Sequence, residues 1–368
     1  MTAPVIDRRR TVLDTRARTV VDAASAMLET AGFDSGRVAD VMSTAGRNDS
    51  AIITFDDETK VFFKQIRGIG GEARYARSAA FFDALDVEVL GFSTPGLLAS
   101  DDDALAALYE FVDDGPDASQ RFRAGEIGTV EYVRIGSLLA QLHGARVVRA
   151  DRIDHSVPPL PPTGINAIPV ELYAQSTMGQ LDMWKLLQGD AELRSALSRL
   201  IVDGRQVDRS PVHGDLRLDQ IVLGASAWIL DWEEFRLGDP ARDVGGVLGE
   251  LFYYRMRRIV DGASDDLTEG LTHEEVMRRG AGLLAESLPD MQTVWKSYLG
   301  TASCLGDGAS FSARCVGYFG WQLFDRALAS GTAFGRVSAL DRALAGIGRE
   351  AMVRNERYVS ALGLEAAV

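Results

Sequence analysis

The fold is decided by the stretch HGDLRLDQ at residues 213–220, which is followed by a second acidic stretch, ILDWE, at residues 229–233. Each stretch carries an Asp beside an apolar, strand-like segment: Asp215 in the first and Asp231 in the second. Phosphoryl transfer needs one carboxylate that accepts a proton from an attacking hydroxyl and another that holds the magnesium bridging the nucleotide phosphates. The two stretches therefore predict a phosphoryl-transfer site.

Asp215 is the candidate base in the first stretch. It follows Gly214 in a sequence that cannot begin a regular helix, so we expect a tight loop to present its carboxylate to a substrate hydroxyl. Arg217 can point the same way along an extended backbone, where a guanidinium would neutralise charge on the transferred phosphoryl group. An ion pair of Arg217 with Asp219 or Asp243 is the alternative, and both interpretations stay open.

Asp231 and Gln220 are the candidate ligands of a magnesium ion. Asp231 would supply an anionic oxygen between the metal and the phosphates, and Gln220 would supply an amide oxygen from the other side. An amide oxygen adds no negative charge, so it does not repel ATP. The sequence thus predicts ATP and Mg2+ as cofactors.

The stretch GDPARD at residues 238–243 follows these two. We predict that the Asp243 carboxylate accepts backbone N–H groups of the loop at residues 213–220, and that Asp239 is a turn or cap residue. His213 is interpreted as a hydrogen-bonded loop residue rather than a proton shuttle.

A nucleotide-binding segment is predicted upstream. Lys64 is the only charged residue in the apolar run VFFKQI, and burying a lysine there is costly unless an anion such as a phosphate accompanies it. A solvent-facing strand lysine is the alternative. Asn48 and Ser50, in the stretch GRNDS at residues 46–50, are placed to donate hydrogen bonds to phosphates. The chain has no GxxxxGK[ST] sequence, which excludes a P-loop mechanism.

Composition limits the partners and the location. The chain has 368 residues, and its 39 basic and 53 acidic side chains give a net charge of −14, which argues against nucleic-acid binding. No apolar stretch approaches the roughly 20 residues of a spanning helix, and no signal peptide is recognisable, so we expect a cytoplasmic protein without a membrane partner. Cys304 and Cys315 lack CxxC spacing and are predicted to be structural thiols.

Hydrophobic patterns and the polar breaker DDGPD divide the chain into an N-terminal lobe, residues 1–112, and a C-terminal lobe, residues 113–368. The fold class is therefore α+β: a small, mostly antiparallel sheet with an inserted helix, then a large, mostly helical lobe. Predicted in the first lobe are strands at 51–55, 60–66, 87–90, 97–99 and 104–112, and helices within 11–45, at 38–42 and at 72–85. Predicted in the second lobe are helices at 129–143, 168–187, 191–202, 244–260 and 273–288, two within 291–331, and strands at 220–223 and 227–230.

These motifs resemble the aminoglycoside phosphotransferase and choline kinase-like branch of the protein-kinase superfamily over residues 46–246. The resemblance implies a bilobal kinase fold, transfer of phosphate from ATP to an alcohol, and nucleotide contacts at Glu110 and Val112 of a hinge-like stretch. The motifs that carry it are Lys64, the hinge-like ALYEFV (107–112), LLAQLHG (138–144), the HGD loop, ILDWE and GDPARD.

Two positions depart from that branch, and one element is missing. Gln220 stands where the loop usually carries Asn, and Arg217 stands in place of the usual His and matches a lysine of protein kinases. The helix that should supply a glutamate to pair with Lys64 offers only Glu72 and Asp83. Only these two could pair with Lys64, and the sequence leaves open which of them, if either, does.

A more particular likeness is to the kinase components of class V lanthipeptide synthetases and of thioviridamide-type pathways, which share GRND, HGDLRLDQ and DWEEFRLGDPARDVG. It implies phosphorylation of Ser or Thr in a ribosomal precursor peptide. A separate lyase would then eliminate phosphate to leave a dehydroamino acid, and a cyclase component would be a further partner. Two alternatives remain: phosphorylation of an aminoglycoside or another small molecule, and a non-catalytic kinase-like subunit that binds a peptide.

Overall fold

An antiparallel sheet of five strands forms the N-terminal part of the protein. The computed structural model describes residues 15–44, 47–157, 160, 165–260, 272–302 and 307–366. The predicted hairpin is confirmed, since the alternating apolar residues of two neighbouring strands face one core. The strands are β1 (Val38–Thr44), β2 (Asp49–Phe55), β3 (Lys60–Gln65), β4 (Leu97–Asp101) and β5 (Ala106–Glu110), in the order β1-β2-β3-β5-β4.

Two elements of this part differ from the predictions. Residues 38–42 belong to strand β1 and not to a helix. A shift in register between Val38 and Asp40 lets Val38 and Val41 both pack on the sheet core, so a bulge produces the helix-like spacing. Residues 87–89 form a short 3-10 turn rather than a strand. Val89 is 66% exposed, and no strand in the described part of the chain pairs with this segment.

The C-terminal part is mostly helical, as predicted. Two short pairs of strands interrupt it, β6 (Ser210–Val212) with β9 (Arg236–Gly238) and β7 (Ile221–Leu223) with β8 (Ala227–Ile229).

The described helices of both parts are α1 (Thr15–Thr30), α2 (Gly71–Ala84), α3 (Ala118–Ala124), α4 (Thr129–His143), α5 (Val170–Gln175), α6 (Met178–Gly189), α7 (Ala191–Asp203), α8 (Ala241–Arg257), α9 (His273–Thr301), α10 (Gly308–Phe334), α11 (Ala339–Val353) and α12 (Asn355–Leu362).

Two predicted helix boundaries are wrong. The predicted helix at 168–187 is two helices, because Thr177 caps the start of α6 with a hydrogen bond to Gln180 and ends the preceding turn. Helix α9 continues through Pro289 instead of ending before it. Packing along α4 keeps α9 helical where the proline removes one backbone donor.

Two apolar cores hold the fold together. The smaller core joins the sheet to α1, and the larger core joins the C-terminal helices. Helix α2 lies before the predicted lobe boundary, yet its Phe81 belongs to the larger core and stacks on Trp232 with 3.7 Å between ring centroids. Helix α2 is therefore positioned from the helical side.

None of the helices that the structure describes combines the length and apolar character needed to cross a bilayer. Cys315 is fully buried, as predicted, and burial raises the pKa of its thiol. Cys304 lies outside the described residues.

Candidate active site

The candidate catalytic loop, residues 213–220, is fastened to the start of α8 by one buried carboxylate. Asp243 accepts hydrogen bonds from the backbone N–H groups of His213 (2.7 Å) and Gly214 (2.9 Å), which confirms the prediction for this residue. Burial acts to raise the pKa of Asp243, but hydrogen bonds, first of all from His143, outweigh burial and lower the pKa. Asp243 therefore stays ionised and holds the loop.

The loop turns sharply at Gly214, where φ is +83°. A Cβ atom there would come within 2.5 Å of the Glu234 carbonyl oxygen, so neither the backbone angle nor the space admits a side chain. His213 donates from Nε2 to the Leu230 carbonyl oxygen at 2.9 Å and is the hydrogen-bonded loop residue that was predicted. This geometry fixes the direction in which Asp215 follows.

The Asp215 side chain is partly enclosed by protein and partly open to solvent. The accessible part of its side chain is 46%, and the enclosing protein on the other sides raises its pKa to about 6. Arg217 opposes that rise, because its guanidinium donates to the carboxylate at 2.9 Å. The same guanidinium contacts Asp219 at 3.2 Å. Both interpretations of Arg217 hold in part: its guanidinium lies beside the Asp215 carboxylate, and it also forms an ion pair with Asp219.

Helix α10 brings further charges to this side of the site. Asp325 lies close enough to Asp215 to raise its pKa, and burial raises the pKa of Asp325 itself. Glu250 on α8 is fully buried, accepts from Gln322 Nε2 at 2.8 Å and forms an ion pair with Arg326. The sequence offered no local signal for these residues, because they approach the loop only through helix packing.

The β7–β8 hairpin places the backbones of Gln220 and Leu230 side by side. Leu230, the residue before Asp231, donates its N–H to the Gln220 carbonyl oxygen at 2.9 Å and accepts from His213. Asp231 has a φ of +71°, which few non-glycine residues adopt, so a strained backbone directs its carboxylate. Leu230 thus links the loop that carries Asp215 to the residue that precedes Asp231.

The donor atoms of these residues fit a magnesium ion. A carboxylate from Asp231 and an amide from Gln220 are oxygen ligands, the kind that magnesium prefers. Gln220 Oε1 accepts the backbone N–H of Arg217 at 2.9 Å, and this hydrogen bond fixes the orientation of the Gln220 side-chain amide. In the part of the chain that the structure describes, no cluster of three or more His, Cys, Asp or Glu could hold a metal. Phosphate and water oxygens would therefore have to complete the coordination.

Lys64 lies in β3 with only 12% of its side chain exposed. Its ammonium pairs with Asp231 and, at 2.9 Å, with Glu233. Neither of the two candidates on α2, Glu72 and Asp83, pairs with it, because both lie on the exposed face of that helix. Burial acts to lower the pKa of Lys64, but the charges of Asp231 and Glu233 outweigh burial and raise the pKa.

The roles of Glu233 and Arg74 were not predicted from the sequence. Arg74 is 3% exposed and contacts Glu233 at 3.3 Å. A signal was present: Arg74, Ser78 and Phe81 recur at helical spacing and form one buried face of α2. The residue that α2 turns toward the site is thus an arginine where a glutamate was expected.

Asn48 immediately precedes β2 and Ser50 lies within it, so both are near Lys64 of β3. Asn48 donates from Nδ2 to Glu233 at 2.7 Å, and Ser50 lies directly opposite Lys64 in the β2–β3 pairing. Gly46, the first residue of this stretch, lies outside the described residues. The phosphate contacts of Asn48 and Ser50 stay predictions.

Glu110 and Val112 lie where the sheet leads into the helical part. Glu110 ends β5, donates its backbone N–H to the Gly96 carbonyl oxygen at 2.9 Å and accepts the Gly96 N–H on its side chain at 3.2 Å. Val112 follows the strand and is half-buried. This is the expected place of a hinge, and the nucleotide contacts of both residues stay predictions.

Together, the antiparallel sheet, the helical part and the loop-borne carboxylates define a phosphotransferase of protein-kinase-like architecture. Residues 47–283 match the phosphotransferase enzyme family, APH. The match covers well over half of the chain, so the protein belongs to this family. The predictions of a phosphotransferase enzyme and of an α+β, bilobal kinase-like fold are confirmed.

Two solved structures illustrate the shared fold. A spectinomycin phosphotransferase in complex with ADP and spectinomycin is 11% identical, has a TM-score of 0.52, and aligns over 96% of this chain and 100% of its own. An amicoumacin kinase in complex with AMP-PNP, Ca2+ and Ami is 13% identical, has a TM-score of 0.52, and aligns over 93% of this chain and 96% of its own. No curated protein matches the sequence.

Proposed function

We propose that this phosphotransferase is an ATP- and magnesium-dependent kinase that phosphorylates Ser or Thr hydroxyls of a ribosomal precursor peptide. The observation that carries the kinase chemistry is the linkage of the Asp215 loop and the Asp231 segment through Leu230. Two carboxylates with separate roles are what transfer from a nucleotide to a hydroxyl requires.

Asp215 is suited to accept the proton of the acceptor hydroxyl. With a pKa of about 6 it is mostly ionised at pH 7, yet it is a stronger base than an ordinary aspartate. Arg217, at 2.9 Å, orients this carboxylate and places a fixed positive charge beside the reacting groups. Magnesium, when bound by Asp231 and Gln220, would neutralise phosphate charge.

Lys64 supplies the ammonium that binds the nucleotide phosphates. It is enclosed in the sheet and kept charged by two carboxylates, so a phosphate oxygen can approach a cation that is already positioned. Asn48 and Ser50 add donors from the preceding segment, and the hinge at Glu110 and Val112 would hold the base of ATP.

The acceptor side favours a neutral hydroxyl over a polycation. Two of its carboxylates already have an arginine partner: Glu250 pairs with Arg326 in the interior, and Asp219, 44% exposed, pairs with Arg217. A substrate with several ammonium groups would need several unpaired carboxylates. Together with the likeness to lanthipeptide synthetase kinases, this supports a peptide acceptor, with a separate lyase and a cyclase as partners and the cytoplasm as the location.

A small-molecule acceptor is the second candidate. Spectinomycin phosphotransferase and amicoumacin kinase carry antibiotic substrates in their names, and Asp325 on α10 could bind one ammonium group beside Asp215. A non-catalytic peptide-binding subunit is the third candidate, and the near-neutral pKa of Asp215 argues against it, since a scaffold needs no tuned base.

The test compares acceptors under one set of conditions. The purified chain would be incubated with ATP, magnesium and a Ser- and Thr-containing lanthipeptide precursor peptide, and in parallel with a panel of aminoglycosides. We expect mass spectrometry to detect a phosphopeptide with the wild-type chain and none with Asp215→Asn. Efficient turnover of an aminoglycoside instead would reject the peptide assignment. Peptide dehydration that survives Asp215→Asn in the presence of the lyase would favour the scaffold role.

A further inference from the structure

We propose that Glu233 is the residue that positions Lys64 and that it couples this lysine to the segment before β2. The role is one that no carboxylate of α2 fills, since Glu72 and Asp83 are exposed. The inference rests on the proposed nucleotide site and adds to it a positioning residue outside the predicted set.

The carboxylate of Glu233 is a meeting point of donors from three elements. Its Oε2 accepts from Lys64 Nζ at 2.9 Å and from Asn48 Nδ2 at 2.7 Å. Its Oε1 accepts from Arg47 at 2.7 Å and from Arg74 at 3.3 Å. Only 10% of the side chain is exposed, so the ion pairs are shielded from water. These contacts are what one expects of a fixed anion rather than of a loose surface pair.

The backbone of Glu233 is held as firmly as its side chain. Arg77 donates from Nε to the Glu233 carbonyl oxygen at 2.9 Å. The preceding Trp232 stacks on Phe81 of α2 and donates its indole N–H to Thr94 at 2.8 Å. Glu233 is therefore fixed between α2 and the helical core, and its position does not depend on the sheet that carries Lys64.

A second carboxylate on Lys64 has a clear use. Asp231 also pairs with Lys64, but Asp231 is the predicted metal ligand. When Asp231 binds the metal, Glu233 is the carboxylate that stays paired with Lys64.

The coupling of Lys64 to the segment before β2 follows from the hydrogen bonds and ion pairs of the Glu233 carboxylate. Arg47 and Asn48 immediately precede β2, and both bind the carboxylate that binds Lys64. Losing the Glu233 charge would therefore release the lysine and the segment together. The expected result is weaker nucleotide binding and a slower chemical step, because both act on the phosphates.

The test uses Glu233→Gln, which keeps the shape and removes the charge, and Glu233→Asp, which keeps the charge. We expect Glu233→Gln to raise the KM for ATP about tenfold and to lower kcat about tenfold, with partial recovery in Glu233→Asp. Glu192→Gln is the control: Glu192 is a glutamate of α7, 70% exposed, that pairs with Arg349 outside the nucleotide site. It should leave KM and kcat within about twofold of wild type.

A double-mutant cycle separates positioning from general stability. In a Lys64→Met background, Glu233→Gln should have a smaller effect on KM and kcat than in the wild-type chain, because the lysine is gone and only the contacts to Arg47 and Asn48 remain to be lost. Additive losses in the cycle, or a lowered melting temperature with an unchanged KM for ATP, would reduce Glu233 to a structural role and overturn the inference.

Two failures can be told apart. If the wild-type chain transfers phosphate and Asp215→Asn does not, while Glu233→Gln behaves as wild type, only the role of Glu233 is rejected. If the wild-type chain shows no magnesium-assisted binding of ATP in calorimetry, the proposed nucleotide site is rejected and the role of Glu233 with it.

Discussion

The two sides of the site contain similar charged residues in opposite states. On the nucleotide side, Lys64 and Glu233 are almost fully enclosed, with 12% and 10% of their side chains exposed, and they are paired with each other. On the acceptor side, Asp215 is 46% accessible and has a pKa raised to about 6. One side holds its charges fixed, and the other keeps a carboxylate able to gain a proton.

The difference follows from the task of each side. A polyanionic nucleotide is bound most strongly by cations that are already in place, so internal pairing that holds Lys64 favours binding. A proton acceptor must instead change its charge near neutral pH, which requires partial burial and few fixed partners. We therefore expect substitutions at Asp215 to change the rate of transfer without changing nucleotide affinity, and substitutions on the nucleotide side to weaken nucleotide affinity.

Asp215→Asn is expected to give the largest difference between its effect on the rate of transfer and its effect on ATP affinity. Removing the proton acceptor should lower kcat about a thousandfold and leave ATP affinity within about twofold, as measured by steady-state kinetics and calorimetry. Asp182→Asn, a change at an exposed carboxylate far from the loop in sequence, is the control. A comparable loss of ATP affinity in Asp215→Asn would show that the two sides are not separate.

The same variant offers a check on folding. The pKa of Asp215 is raised from 3.8 to about 6, so between these values the folded state binds more protons than the unfolded state. Ionised Asp215 thus lowers stability above pH 6. Asp215→Asn should melt at a higher temperature than wild type at pH 7, and the advantage should shrink as the pH falls toward 4. A lower melting temperature at pH 7 would contradict the raised pKa.

Asp231→Asn tests the nucleotide side in the same way. Loss of the anionic ligand should weaken magnesium-assisted ATP binding about a hundredfold, and calorimetry should then find an ATP affinity that no longer depends on magnesium. Asn is chosen because it tolerates the positive φ of +71° better than Ala does. Retained magnesium dependence would remove Asp231 from the metal site.

Arg217→Gln should slow transfer less, about thirtyfold, and should change its pH dependence. Activity requires ionised Asp215 and so rises as the pH passes through the pKa of that carboxylate. Arg217 lowers this pKa, so its removal should move the acidic limb of the kcat/KM profile to higher pH. A profile that stays in place would mean that Arg217 serves Asp219 and not Asp215.

Asp325→Asn is expected to have the smallest effect and the opposite sign. Asp325 raises the pKa of Asp215, so its removal should move the acidic limb to lower pH while kcat at pH 8 changes about twofold or less. ATP affinity should not change. If the limb moves upward, another group controls the acidic limb and the paired comparison with Arg217→Gln fails.

Local patterns were enough for much of the fold and for the loops of the site. The β2–β3 hairpin and α4 were predicted because alternation and helical spacing persist over their whole length. Residues 38–42 were misread because a bulge in an edge strand imitates the spacing of a helix. A bulge depends on the pairing with β2, which the spacing of apolar residues within 38–42 does not show.

The sequence by itself determined which residues can carry the chemistry, because the loop at 213–220 and the DWE stretch are short and each contains its own turn and carboxylate. Only the tertiary structure decided how the charges are shared. Lys64 pairs with Glu233 and not with a residue of α2, and the charge of Asp325, brought near by helix packing, acts on Asp215. Electrostatic energy depends on distance in space and on burial, and chain packing sets both.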